Sequence, residues 1–273
     1  MPAVRGIVAA ESVTALGEVA GKVLVAGSHG GVIAACLGAL AGAHGLVLND
    51  AGIGKDEAGI AGLRWLEVFG IAAATVGHAS ARIGDGADML RRGIISHANA
   101  IASIAGVRAG QTCREAAERL RDAPAARSRP QGCGEGRYRL MASRPEVWGL
   151  DSVGKLEPQD AGRVLVIGSH GALHGGRPET ALGVDARAAV FHDAGVGADG
   201  AGISRLTPLD RRAIPAATAD FRSARIGDCR SMWESGVISH VNDTATHRGA
   251  RRRESVREFA AHFVRYPDSD ATR

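Results

Sequence analysis

The chain has 273 residues, of which 45% are hydrophobic, 23% charged and only 4% aromatic, and its formal net charge is +4. That length supports a sizeable core built from Ala, Val, Ile and Leu rather than from rings. No apolar run is long enough to span a bilayer, MPAVRGIVAAESV at the start lacks a signal-peptide apolar core, and the four cysteines show no C-x-x-C spacing. The composition therefore argues against a membrane span, a leader, a zinc knuckle and a disulfide framework, and a cytoplasmic protein with reduced thiols is expected.

KVLVAG (22–27) is the first clear element, a continuous apolar run ending in glycine, as buried parallel strands do. Ser28 and His29 follow it within GSHG, and GVIAACLGALAG (31–42) predicts a helix. GLVLND (45–50) is a second strand that ends on Asn49 and Asp50. DEAGIAGLRWLEVFG (56–70) sets Ile60, Leu63, Leu66 and Phe69 at helical spacing, and Gly70 suits its C-cap. IAAATV (71–76) is a third strand, and SARIGD (80–85) is the loop after it. Asp85 is placed to cap the helix GADMLRRG (86–93). GIISHAN (93–99) reads as a helix end and a polar turn, and QTCREAAERL (111–120) as a closing amphipathic helix.

The same order is then written again. VLVIGSHG (164–171) repeats VLVAGSHG (23–30), HDAGVG (192–197) repeats NDAGIG (49–54), SARIGD returns at 223–228, and GVISHVN (236–242) repeats GIISHAN. Asp228 is placed to cap a helix as Asp85 does, and ESVREFAAHF (254–263) closes the second copy. Alternating strands and helices predict an α/β fold with mainly parallel strands, a tandem duplication whose halves are related by a pseudo-twofold axis. The expected division is a first repeat over 1–120, a linker over 121–148 rich in Pro, Gly and Arg, and a second repeat over 149–273 with a basic C-terminal helix. That basic stretch, HRGARRRESVRE (247–258), is interleaved with Glu and reads as a solvated face rather than a nucleic-acid surface.

GSHG, (N/H)DAG and SARIGD each fall just after the C-terminal end of a predicted strand, the edge where open α/β sheets bind ligands. Candidate catalytic residues are Ser28, His29, Ser169 and His170, with Ser28 and His170 able to pair across the halves. Asp50 and Asp193 can orient a histidine, and Lys55 can serve as a base if desolvated. His97 and His240 are further acid–base candidates. Arg82 and Arg225 suit a carboxylate or phosphate, and Asn49, His192, Asn99 and Asn242 complete the substrate-binding set. The alternatives are structural: serine and aspartate caps, Asx-turns, and Arg–Asp pairs. No phosphate-loop or dinucleotide fingerprint appears, so no cofactor is favoured, and a divalent metal held by separate loops stays open. The expected function is hydrolysis of an amide or cyclic amide in a small anionic metabolite, with a cofactor-free lyase or isomerase and a non-catalytic anion-binding protein as alternatives. Small-residue stretches such as AGIAG (58–62) suit close packing between copies, so a homo-oligomer is expected.

Overall fold

The computed structural model describes residues 6–265. It is a mixed α/β protein with two sheets of mostly parallel strands. In the first half the elements are β1 (Ile7–Ala10), β2 (Val23–His29), α1 (Val32–Leu40), β3 (Gly45–Asn49), α2 (Ala61–Val68) and β4 (Ala72–Val76). They continue with α3 (Gly86–Arg92), β5 (Ile95–Ala98), α4 (Ala100–Ile104) and α5 (Cys113–Leu120). The second half holds β6 (Arg137–Met141), β7 (Val147–Leu150), β8 (Val164–His170), β9 (Ala188–His192), α6 (Leu206–Arg211) and β10 (Ala216–Ala219). It ends with α7 (Cys229–Ser235), β11 (Ile238–Val241), α8 (Asp243–Thr246) and α9 (Val256–Ala261). The sheets run in the order β1-β2-β3-β4-β5 and β11-β10-β9-β8-β7-β6. Strands β1 to β4 are mutually parallel, as are β7 to β10, while β5, β11 and β6 join antiparallel at the edges.

The continuous apolar runs are explained by burial on both faces. In β2, Val23 and Val25 pack toward α3 and α5, while Leu24 and Ala26 pack toward α1 and α2. In β8, Val164 and Val166 join the core under α7 and α9, and Leu165 and Ile167 join the opposite one with α6. Helix starts follow the expected caps: Asp85 accepts from the Asp88 N–H and Asp228 from the Ser231 N–H. Thr112 and Ser255 make capping boxes with Glu115 and Glu258. No helix among the described residues is long and apolar enough to cross a membrane.

Several local expectations are corrected. The stretch expected as a linker contains β6 and the first half of β7, because Tyr138 and Leu140 alternate with arginines and pack on the second core. SHA and SHV are not turns but short edge strands, β5 and β11. Cys36 and Cys133, 97 residues apart, form a disulfide that ties the connecting segment to α1, so the expectation of fully reduced thiols fails for this pair. Cys113 and Cys229 are free and buried.

The halves also differ. Where the first has α1, the second runs through short 3-10 turns at His174–Gly176 and Pro178–Thr180. That irregular segment is held by Arg205, which is 1% exposed. Its guanidinium donates to the carbonyls of Ala172 (2.9 Å), Thr180 (2.6 Å) and Ala181 and lies over the Phe191 ring. The position equivalent to Arg205 in the first half is Gly62, where a Cβ would stand only 2.6 Å from Ala35 of α1. A helix that packs on the sheet thus needs no side chain there, and a loop with carbonyls left over from its backbone pairing needs a donor.

Candidate functional site

The two sheets meet at a seam built from the loops at their strand ends. Ala51, Ile83, Ala172, Ala194, Ala201 and Ile226 form a small apolar core there. The turns after β3 and β9 cross it. Ala51, Gly52, Ile53 and Gly54 have φ of 49°, 76°, 66° and 71°, and Ala194 to Gly197 follow the same path at 51°, 74°, 62° and 71°. Four consecutive left-handed residues, with a β-branched one among them, are strained backbone. Each turn is secured from the other half: the Lys55 N–H donates to the Phe221 carbonyl at 2.9 Å, and the Ala198 N–H to the His78 carbonyl at 2.8 Å.

Both GSHG segments reach one polar cavity of about 30 Å³ at this seam. Ser28 and His29 at the end of β2, and Ser169 and His170 at the end of β8, line it together with His174, Glu135, Asp151 and Ser152. Ile33, Ala34 and Leu37 of α1 make an apolar wall. His29 and Ile33 also line a more open cleft of about 280 Å³ with Asp56, Arg225 and Asp228. The cavity and the cleft therefore adjoin across the His29 ring.

The histidine geometry is informative. His29 Nδ1 accepts from the Gly31 N–H at 3.1 Å, and His170 Nδ1 from the Ala172 N–H at 3.3 Å. A nitrogen that accepts carries no proton, so in each neutral ring Nε2 is the N–H donor. Burial, and then the nearby His192, pushes His29 down to about 4. Burial, then His174, Arg205 and the other histidines, holds His170 well below the ordinary value. Both rings are neutral near pH 7, and neither Nε2 has a hydrogen-bond partner among the described residues. Ser28 Oγ accepts from the Val13 N–H and Ser169 Oγ from the Val153 N–H. No histidine nitrogen bonds either hydroxyl among the described residues, so the Ser28–His170 pair is not formed.

Asp50 and Asp193 brace the left-handed turns. Asp50 Oδ1 accepts from the Gly52 N–H and from both the backbone N–H and Nδ1–H of His78, each ring or backbone bond to His78 at 2.9 Å. Burial pushes the Asp50 carboxyl up, but the His78 and Gly52 bonds outweigh it and hold it low, and the same carboxylate raises His78. Asp193 accepts from the Gly195 and Phe221 N–H groups, and burial pushes its carboxyl up. His78 was not found by sequence reasoning. Its signal was a break in the repeat, since Phe221 stands at the matching place.

The remaining candidates have structural partners. Asn49 accepts from the Ala51 N–H and donates to the Ala81 carbonyl, and His192 makes the matching bonds to Ala194 and Ala224. Asn99 and Asn242 cap α4 and α8 and also bond the β4 and β10 backbone. Arg82 pairs with Asp85 and, across the seam, Asp199; Arg225 pairs with Asp228 and, across the seam, Asp56. Of the two, Arg225 faces the cleft beside His29. Lys55 donates to Ser235 Oγ at 2.8 Å and so spans the seam instead of entering the cavity. His97 and His240 line separate clefts away from the cavity, and His97 Nδ1 is buried without a partner among the described residues.

Sequence reasoning also missed Glu135, Asp151 and His174. Glu135 and His174 lie outside the repeated motifs, Asp151 opens DSV (151–153) where the first half has ESV (11–13), and all three reach the cavity only through the fold. Among the described residues no group of three His, Cys, Asp or Glu side chains is disposed to hold a metal ion. Comparison with protein-family models finds no match for this chain, and none is found among curated proteins or solved structures.

Proposed function

We propose that the protein is a small-molecule enzyme whose reaction takes place in the seam cavity. In this reading the chain is a tandem duplication, and its two units face each other across a pseudo-twofold axis. Support comes from contacts that recur reciprocally: the paired backbone bonds of Lys55 and Ala198, and the ion pairs of Arg225 with Asp56 and Arg82 with Asp199. Such an arrangement brings two copies of one motif to one place, as the two GSHG segments are here.

One observation carries the chemistry: His29 and His170 line the same cavity as neutral rings with unpartnered Nε2–H groups. Neutral imidazole donors in a water-poor site suit the oxygen of a carbonyl, on which negative charge develops during reaction. Hydrolysis of a small amide or cyclic amide uses such donors directly. A cofactor-free lyase or isomerase uses them equally, and one feature favours it: among the described residues no base is poised on Ser28 or Ser169. A ligand reaches the donors through the cleft that adjoins them at His29.

The test is turnover of a panel of small amides, cyclic amides and hydroxy-carbonyl compounds by the intact chain. His29→Ser and His170→Ser keep a side-chain acceptor for the N–H two residues on, which holds the following turn, and remove the Nε2–H. Each substitution is expected to lower kcat/KM by about 10²-fold or more with an unchanged circular dichroism spectrum. Turnover within about twofold of wild type in both variants would remove the cavity from the reaction. Weakened binding of a panel member that is never turned over would favour the non-catalytic alternative.

A further inference from the structure

We infer that Glu135 makes the seam cavity selective for an uncharged group that both accepts and donates hydrogen bonds, a carboxamide or urea-like group, and that Glu135 accepts from its N–H. The inference rests on the cavity being the ligand site.

Glu135 lies on the connecting segment, two residues after Cys133, and the disulfide to Cys36 of α1 fixes that segment beside the cavity's apolar wall. Its side chain is only 8% exposed, and Oε2 is 3.4 Å from the half-exposed Lys155 ammonium. Oε1 is buried and has no hydrogen-bond partner among the described residues. A buried carboxylate oxygen left unpaired is costly, so its presence at a cavity wall points to an acceptor waiting for a donor. Asp151, the other carboxylate at the wall, is already used: Oδ1 accepts from the Cys229 N–H and Oδ2 from the Gly136 N–H.

The volume restricts the ligand. About 30 Å³ holds roughly two or three waters, or one planar group of three or four heavy atoms. The residues that line the cavity include two neutral histidines whose Nε2–H groups are unpartnered among the described residues, and one carboxylate with an unpaired oxygen, Glu135 Oε1. A carboxylate has two acceptor oxygens and no donor, so one oxygen would oppose Oε1 and the like charges would repel. An ammonium has no acceptor for the imidazole N–H groups. A carboxamide supplies one acceptor and one donor in a plane. The nearest cations do not reverse this preference, since Lys155 pairs with Oε2 and Arg205 is spent on three carbonyls.

The experiment follows the ring ¹⁵N signals of His29 and His170 in the full chain, at neutral pH, during titration with acetamide and with acetate. Acetamide is expected to shift them with at least about tenfold tighter apparent binding than acetate. In Glu135→Gln, whose amide can donate as well as accept, that preference is expected to collapse to within about twofold. Acetate binding as tightly as acetamide to the wild type would overturn the selectivity while leaving the cavity as a ligand site. Neither probe shifting either histidine would instead overturn the cavity reading on which it rests. An unchanged preference in Glu135→Gln would overturn the assignment to Glu135. Should that variant not fold, Glu135→Asp, which withdraws the carboxylate by one methylene, replaces it, with a reduced preference expected and an undiminished one overturning the assignment.

Discussion

Lowering the pH from 7 to 4 is expected to unfold the protein, with most of the loss of stability between about pH 6.5 and 4. Burial holds His29 and His174 at about 4, against an ordinary 6.5, and it lowers His170 and His192 in the same direction. In the unfolded chain these rings take up protons below about 6.5, whereas the folded protein resists until its lower values are reached. Their contribution is therefore complete above the unfolded value and is lost as pH falls toward the folded one. For His29 and His174 each gap corresponds to on the order of 3 kcal/mol. Two such terms approach a typical total stability of about 5–15 kcal/mol. The raised His78 works the other way, adding stability at low pH that is lost as pH rises through its folded value. Depressed carboxylates such as Asp50 and Asp160 lose their contribution only further into acid. Urea midpoints measured at pH 7, 6, 5 and 4 check the effect. A midpoint that stays flat from pH 7 to 5 would contradict it, and His29→Asn should flatten the slope by removing one titrating ring.

Replacing Arg205 with Met is expected to cost about 3 kcal/mol or more, measured by urea unfolding at neutral pH. Burial pushes the guanidinium down to about 10, so it is still charged at pH 7, and no carboxylate pairs with it among the described residues. A thioether of similar length fills the space but leaves the carbonyls of Ala172, Thr180 and Ala181 buried without a donor. The segment 172–182 has only two short 3-10 turns and no α-helix to satisfy them, so the cost is local and concentrated. Arg205 also donates toward His174 Nε2 at 3.5 Å and helps to lower that ring. In Arg205→Met the His174 pKa is therefore expected to rise, which a merely cavity-forming substitution would not produce. Loss of less than about 1 kcal/mol would show that the loop holds itself.

The central strands were legible because a strand buried on both faces can only be written as an apolar run; VLVAG, LVLN and VLVIG have no other good reading. Asp85 and Asp228 were legible as caps for an equally local reason. The edge strands were not, because ISHA and ISHV carry polar residues and are four residues long. At the candidate site, GSHG could be placed at a strand end, but its surroundings could not. Glu135 and Cys133 sit in a stretch whose Pro, Gly and Arg content resembles a linker, and only the fold lays that stretch against α1. Asn49 and His192 stand at matching positions and differ in chemistry. In space the amide oxygen and nitrogen of one do what Nδ1 and Nε2–H of the other do, accepting from the turn and donating to the next loop. A difference in letters there is one pair of hydrogen bonds made in two ways.

The left-handed turns bear on how the molecule comes apart. Each sheet has helices on both faces and its own apolar cores, which ordinarily allows two bodies to melt separately. Yet Ala51–Gly54 and Ala194–Gly197 follow a path that costs about 1–2 kcal/mol for each residue other than glycine, and each is held by a backbone bond from the opposite half. Loss of either half leaves the other with a strained turn and an uncovered patch of alanine and isoleucine. The sheets are thus thermodynamically one object. Calorimetry should record a single peak whose van't Hoff enthalpy equals the measured heat, where two cores alone would suggest a pair.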